Sequence, residues 1–210
     1  RPPEGGLGGL RKICETPGIL LVFDEVITGC GRTGGPFAAQ SFGVTPDMMT
    51  MAKALTNAAQ PMGAVAISER IYDTVMAAAQ EGAIEFFHGY TYSGHPAACA
   101  AGLATLDIYR DEGLFERAHE LAPYFQDAMF SLRGTPYITD IRGYGMLAAF
   151  DLESDGTPGR RGNTLQKKLF DNGLNLKNTG DCALIAPPLI AEKHHIDLIA
   201  DILRKTVSAL

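Results

Sequence analysis

Long apolar runs are missing from this 210-residue sequence. None approaches the ~20 residues that a membrane-spanning helix requires, and the opening RPPEGGLGG lacks the basic-then-apolar order of a signal peptide. Basic clusters are missing too: 18 Lys and Arg stand against 24 Asp and Glu, a formal charge of −6, with nothing denser than LRK or GRR. That balance argues against a nucleic-acid or anionic-membrane partner. The four cysteines, Cys14, Cys30, Cys99 and Cys182, lie far apart with no CxxC spacing and no nearby histidine pattern, so no metal site is implied and a reduced, cytoplasmic chain is the expectation. Neither G-x-S-x-G nor GxxxxGK[ST] occurs, which disfavours α/β hydrolases and P-loop kinases. There is no internal repeat and no low-complexity tract. The chain begins with Arg rather than Met, and a piece of a longer protein is expected.

What is present suits a globular protein. Hydrophobic residues make up 46% of the chain, enough for one large or two small domains. Up to Gly113, short apolar runs (GILLVFDEV, DMMTMAKAL, GAVAIS) alternate with helical segments, as buried parallel strands with crossovers would. In SGHPAACAAGLATLDIYRDEG, Pro96 suits a first helical turn, alanines favour the interior and Gly113 can end the helix. Cys99, Leu103 and Leu106 fall on one of its faces.

From Leu114 the texture changes. Leu114, Ala118, Leu121, Phe125, Met129 and Leu132 recur at helical spacing up to Gly134, with Pro123 predicting a kink or a late start. A strand MLAAFDL, a loop ESDGTPGRRGN, a helix TLQKKLFDNG, a strand near CALIAPPLI and a last helix from about Glu192 follow. Arg204 and Lys205 near the end of that helix match the helix dipole. The expectation is an α/β unit over residues 1–113 and a smaller α+β unit over 114–210.

Two residues stand out against this background. Asp24 comes where the apolar run Ile19 to Phe23 stops, and ligands of open α/β sheets bind at the carboxyl ends of strands. A solvated strand end or a helix cap is the plain alternative. Lys53 comes where the run Met48 to Ala52 gives out. Its neighbours Met51, Ala52, Ala54 and Leu55 should partly desolvate it and make a neutral amine available for condensation with an aldehyde. A surface lysine lying over apolar groups is the alternative. Together, a carboxylate and an amine at strand ends are what pyridoxal phosphate requires: the lysine binds the aldehyde, and the carboxylate keeps the ring nitrogen protonated.

The ordered stretches LLVFDEVITGCGRTG, PDMMTMAKALTNAAQPMGA, HGYTYSGHPAACAAGLATLDIY, RGYGMLAAFDL and GDCALIAPPLI resemble the class III pyridoxal-phosphate aminotransferases, especially the ω-amino acid:pyruvate type. The likeness covers nearly the whole chain. It implies a fold-type I transferase: residues 1–113 would be the C-terminal part of the large, mainly parallel-sheet domain that binds pyridoxal 5'-phosphate, and 114–210 the small C-terminal domain. By the same resemblance Asp24 pairs with the ring nitrogen, Val26 lies on the same strand face and packs beneath the ring, and Lys53 is the covalent anchor. Thr91 reaches the cofactor phosphate of the neighbouring subunit, which implies a homodimer, and Tyr90 lines that subunit's active site. His88 and His95 share the motif and read as structural.

Departures from the pattern also carry information. Members of the family are much longer, and the part before Arg1 would supply a glycine/serine phosphate loop, a ring-stacking aromatic and a glutamate-containing strand. Lys177 stands where many members hold an arginine for the substrate carboxylate; it keeps the charge but loses the planar fork. It reads equally as a surface lysine. Cys30 replaces an aromatic, and Ala58 a frequent glycine. The implied reaction is amino transfer from an amine or ω-amino acid to an α-keto acid such as pyruvate. An aminomutase or decarboxylase on the same scaffold, or a non-catalytic remnant, is the alternative.

Overall fold

The computed structural model describes residues 2–82, 86 and 90–210. They form two compact units, one of Pro2–Cys30 and Phe37–Gly113, the other of Gly31–Pro36 and Leu114–Leu210.

In the first unit, α1 (Gly6–Glu15) leads to β1 (Val22–Asp24), a single-turn α2 (Ala38–Ser41), β2 (Met48–Met51), a 3-10 turn (Lys53–Leu55), β3 (Ala64–Ile67), α3 (Glu69–Ala77) and α4 (Pro96–Asp111). The strands form one sheet in the order β1-β2-β3. β1 and β2 are parallel, as expected, but β3 runs antiparallel to β2. The cause is the connection: only residues 52–63 join β2 to β3, without the crossover helix that a parallel return demands. The strands are also not buried as expected, since Val22, Val65 and Ile67 are all exposed. Cys14 of α1 packs with Leu21, Val44, Leu7 and Phe23 in a small core.

Helix α4 starts at Pro96 as its sequence predicts, but its buried face is not the apolar one. Leu103 is 65% exposed and Leu106 is exposed as well, whereas Ala98, Gly102, Thr105 and Tyr109 are buried. That face packs against the segment between β2 and β3. A Cβ on Gly102 would lie 3.6 Å from the Met62 sulfur and 3.7 Å from the Leu55 carbonyl oxygen.

The second unit holds α5 (Leu114–Phe130), β4 (Ile138–Tyr144), β5 (Leu147–Leu152), α6 (Arg160–Asp171), β6 (Lys177–Thr179), β7 (Cys182–Ile185) and α7 (Lys193–Ser208). Its antiparallel sheet has the order β4-β5-β7-β6. Phe125 and Met129 of α5, Phe150 of β5, Leu165 and Leu169 of α6, and Ile196, Leu203 and Val207 of α7 are fully buried and form the core. Pro123 does not delay α5, which runs unbroken from Leu114.

α6 begins inside the stretch expected to be a loop. The Asp181 carboxylate accepts the amides of Gly159 (3.0 Å) and Gly162 (2.9 Å), satisfying the open end of the helix from across the fold. The segment Gly31–Pro36 joins this unit through hydrogen bonds of its own. The Met146 amide donates to the Arg32 carbonyl at 2.8 Å, and the Arg32 guanidinium donates to the Pro187 carbonyl. Gly145 has φ +59, and a Cβ there would lie 2.4 Å from the Arg32 carbonyl oxygen. Among the described residues, no helix is long and apolar enough to cross a membrane.

Candidate functional site

Strand β1 is short because its last residue turns its own chain. Asp24 pairs with Thr50 of β2, and Oδ1 then accepts the Val26 amide at 3.0 Å and the Thr50 hydroxyl at 3.4 Å. An aspartate that bonds the backbone two residues on favours a turn over continued strand. Val26 is therefore in a turn after β1, not on the strand face expected for it. The Asp24 side chain is exposed, and among the described residues Oδ2 has no hydrogen-bond partner.

The neighbouring acid is buried. Glu25 is 2% exposed; Oε2 accepts the Thr28 hydroxyl (2.5 Å) and the Ala38 amide (3.0 Å), and Oε1 accepts the Ala39 amide (2.7 Å). Glu25 thus satisfies the first amides of α2, and the alternative of a helix-capping acid belongs to it rather than to Asp24. Sequence reasoning missed this role, although the D-E pair was visible. Cys30 is buried nearby, and burial first, with the Glu25 charge second, pushes its thiol pKa up. That keeps it protonated and unreactive.

Lys53 lies three residues beyond Thr50, past the carboxyl end of β2 and therefore at the same end of the sheet as Asp24. It is exposed, so the expected partial desolvation is not met within this chain: it leaves the strand in a left-handed turn at φ +47, outside the shelter of the sheet. Among the described residues its amine enters no ion pair with Asp or Glu. Thr50, a hydroxyl within the apolar DMMTM, was also missed as an Asp24 partner.

Tyr90 and Thr91 are exposed in the turn before α4. With Pro61, Met62, Gly63, Ser93 and His95 they line an open cavity of about 460 Å³. His95 is exposed at the start of α4, and His88 lies outside the described residues. Lys177 belongs to the other unit. It opens β6, pairs with Leu184 and lines a cleft with Gln166, Leu176 and Pro187.

The first unit thus brings Asp24 and Lys53 to the ends of adjoining parallel strands, with Val26 in the turn between strand and helix. An exposed amine and a carboxylate with one open oxygen suit a ligand that carries both an electrophilic carbon and a basic nitrogen. Pyridoxal 5'-phosphate has both, so this donor set fits it.

A family model described as "Aminotransferase class-III" matches residues 1–207. The chain is 53% identical over 207 residues to an omega-aminotransferase of Caulobacter vibrioides, covering 98% of this chain and 47% of that protein. It is 44% identical over 211 residues to a beta-alanine–pyruvate aminotransferase of Pseudomonas aeruginosa, covering 100% of this chain and 47% of that protein. Among solved structures, a thermostable (S)-enantioselective omega-transaminase from Thermomicrobium roseum superposes with a TM-score of 0.91 at 34% identity, over 99% of this chain and 47% of that one. The chain therefore spans about half the length of the relatives it matches.

Proposed function

Because the chain belongs to the class III aminotransferases, a pyridoxal-phosphate-dependent family, we propose that it is the C-terminal part of an enzyme that transfers an amino group from an amine or ω-amino acid to an α-keto acid such as pyruvate. The observation that carries this reading is the register of β1 and β2, which sets Asp24 beside Thr50 and so brings Asp24 and Lys53 to one end of the sheet.

When bound, the cofactor supplies an aldehyde that condenses with amines and a ring that takes up the electrons of a breaking Cα–H bond. Asp24 Oδ2 would hold the proton on the ring nitrogen, while Oδ1 stays engaged by the Val26 amide and the Thr50 hydroxyl. Lys53 Nζ would hold the aldehyde and would serve as the base that removes and returns the proton at the substrate carbon. Val26, in the turn after β1, would help to hold the ring. Thr91 would donate to the cofactor phosphate of a second subunit and Tyr90 would line that subunit's site, which would make a homodimer the working unit. Lys177 would offer the substrate carboxylate a point charge. Four free cysteines suit the reducing cytoplasm.

The test is borohydride reduction of the cofactor-loaded whole protein followed by peptide mapping. The label is expected on Lys53, and Lys53→Ala is expected to lose both the label and the visible absorption of the loaded protein. A loaded wild type labelled elsewhere, or not at all, rejects the assignment. Product analysis with one amino substrate separates transamination from mutase or decarboxylase chemistry.

A further inference from the structure

The turn that carries Lys53 is strained. Lys53, Asn57 and Ala58 have φ of +47, +50 and +57. None is glycine, and the left-handed region crowds a Cβ against the following carbonyl. Such conformations persist where their surroundings over-determine them, and they concentrate at functional sites.

Part of the restraint is local. The Lys53 carbonyl accepts the amides of Thr56 (3.3 Å) and Ala58 (2.9 Å), and the buried Thr56 hydroxyl donates to the Gln60 carbonyl at 2.6 Å. The rest comes from α4. Tyr109, 7% exposed, donates its hydroxyl to the Ala54 carbonyl at 2.7 Å, across 55 positions of sequence. Gly102, on the same buried face of α4, also packs against Leu55 and Met62, where a Cβ would make ordinary van der Waals contact.

We propose that Tyr109 is a positioning residue: its hydroxyl holds the carbonyl next to Lys53 and keeps the 53–58 turn in the left-handed form that presents the lysine amine at the carboxyl end of the sheet. This rests on the cofactor-anchoring role of Lys53 set out above. Reversal of φ at Lys53 swings its Cα–Cβ bond and carries the amine away from that end. The hydroxyl therefore acts on the anchor without touching cofactor or substrate.

The test uses the cofactor-loaded whole protein and two substitutions. Tyr109→Phe keeps the buried ring and removes only the hydroxyl. Cofactor release on dilution is expected to be about 3- to 10-fold faster, the effect of one net hydrogen bond. The pH midpoint of the visible absorption is expected to move as the amine is displaced. Adding Ala58→Gly to Tyr109→Phe should return both quantities toward wild type, because glycine accepts positive φ without a Cβ clash.

Unchanged release and midpoint in Tyr109→Phe, with only a lower melting temperature, would make Tyr109 an ordinary packing residue and overturn the proposal. Defects that Ala58→Gly fails to restore would place the effect outside the turn and overturn it equally. If wild type itself takes no borohydride label at Lys53, the anchoring role fails first. A labelled wild type with an unaltered Tyr109→Phe rejects only the role of Tyr109.

Discussion

Asp24 and Glu25 are consecutive, yet Glu25 is buried with both carboxylate oxygens engaged, whereas Asp24 is exposed and, among the described residues, keeps Oδ2 open. Glu25 holds the first amides of α2, and Asp24 turns the chain after β1 with Oδ1 alone. The two positions should therefore respond to amide substitution in opposite ways.

Asp24→Asn is nearly isosteric and should leave the melting temperature within about a degree of wild type, the small effect usual for exposed positions. In the whole protein, the proton-transfer half-reaction should slow by at least about 10²-fold, because the ring nitrogen loses its charged partner. Single-turnover kinetics with one amino donor measure this. Near-normal rates would leave Asp24 as no more than a strand-end acid.

Glu25→Gln should behave in reverse. One acceptor oxygen becomes an NH2 facing the donors Ala38, Ala39 and Thr28, and an unsatisfied buried group costs about 1–3 kcal/mol. The melting temperature followed by circular dichroism should fall by several degrees. A melt matching that of Asp24→Asn would contradict the burial argument.

Asp47 supplies a pH dependence. Its carboxylate accepts the Leu21 amide (2.8 Å) and the guanidinium groups of Arg11 (2.7 Å) and Arg70 (3.0 Å). The Leu21 amide first, and Arg11 next, lower its pKa to about 2. Unfolded, it titrates near the usual ~3.9. Because the folded value is the lower one, the stabilisation is fully present above about pH 4 and is lost as pH falls toward 2. Asp47→Asn should lower the melting temperature at pH 7 and flatten its decline between pH 4 and pH 2. Parallel curves for the two proteins would rule out this contribution.

The 210-residue chain by itself is expected not to catalyse transamination. It carries Lys53 and Asp24, but the glycine/serine phosphate loop that the family resemblance places before them is not in this sequence, and weak phosphate binding would leave the reacting groups poorly fixed. Val22, Val65 and Ile67 are also exposed on the three-stranded sheet, a surface open to aggregation. Amine-to-pyruvate turnover is to be compared between the purified chain and the whole protein. Comparable rates would show that the chain suffices.

What the sequence determined by itself is local. The apolar runs before Asp24 and Lys53 announced strands that end in charge, Pro96 marked the start of α4, and the spacing from Leu114 to Met129 marked α5, because propensity, turn chemistry and periodicity act over a few residues. Contacts between distant residues decided the rest. Asp181 draws the start of α6 back into a stretch that reads as loop. β4 and β6 gave no clear signal of their own and form by pairing with β5 and β7. Leu103 and Leu106 look like the inner face of α4, but the fold buries Ala98, Gly102 and Tyr109 instead, because that face is the one turned to the Lys53 turn, where the Tyr109 hydroxyl meets the Ala54 carbonyl. Glu25, indistinguishable from Asp24 in a linear reading, was assigned to structure only when residues 38 and 39 folded back to meet it, since a hydrogen bond depends on where the chain returns and not on the residue type alone.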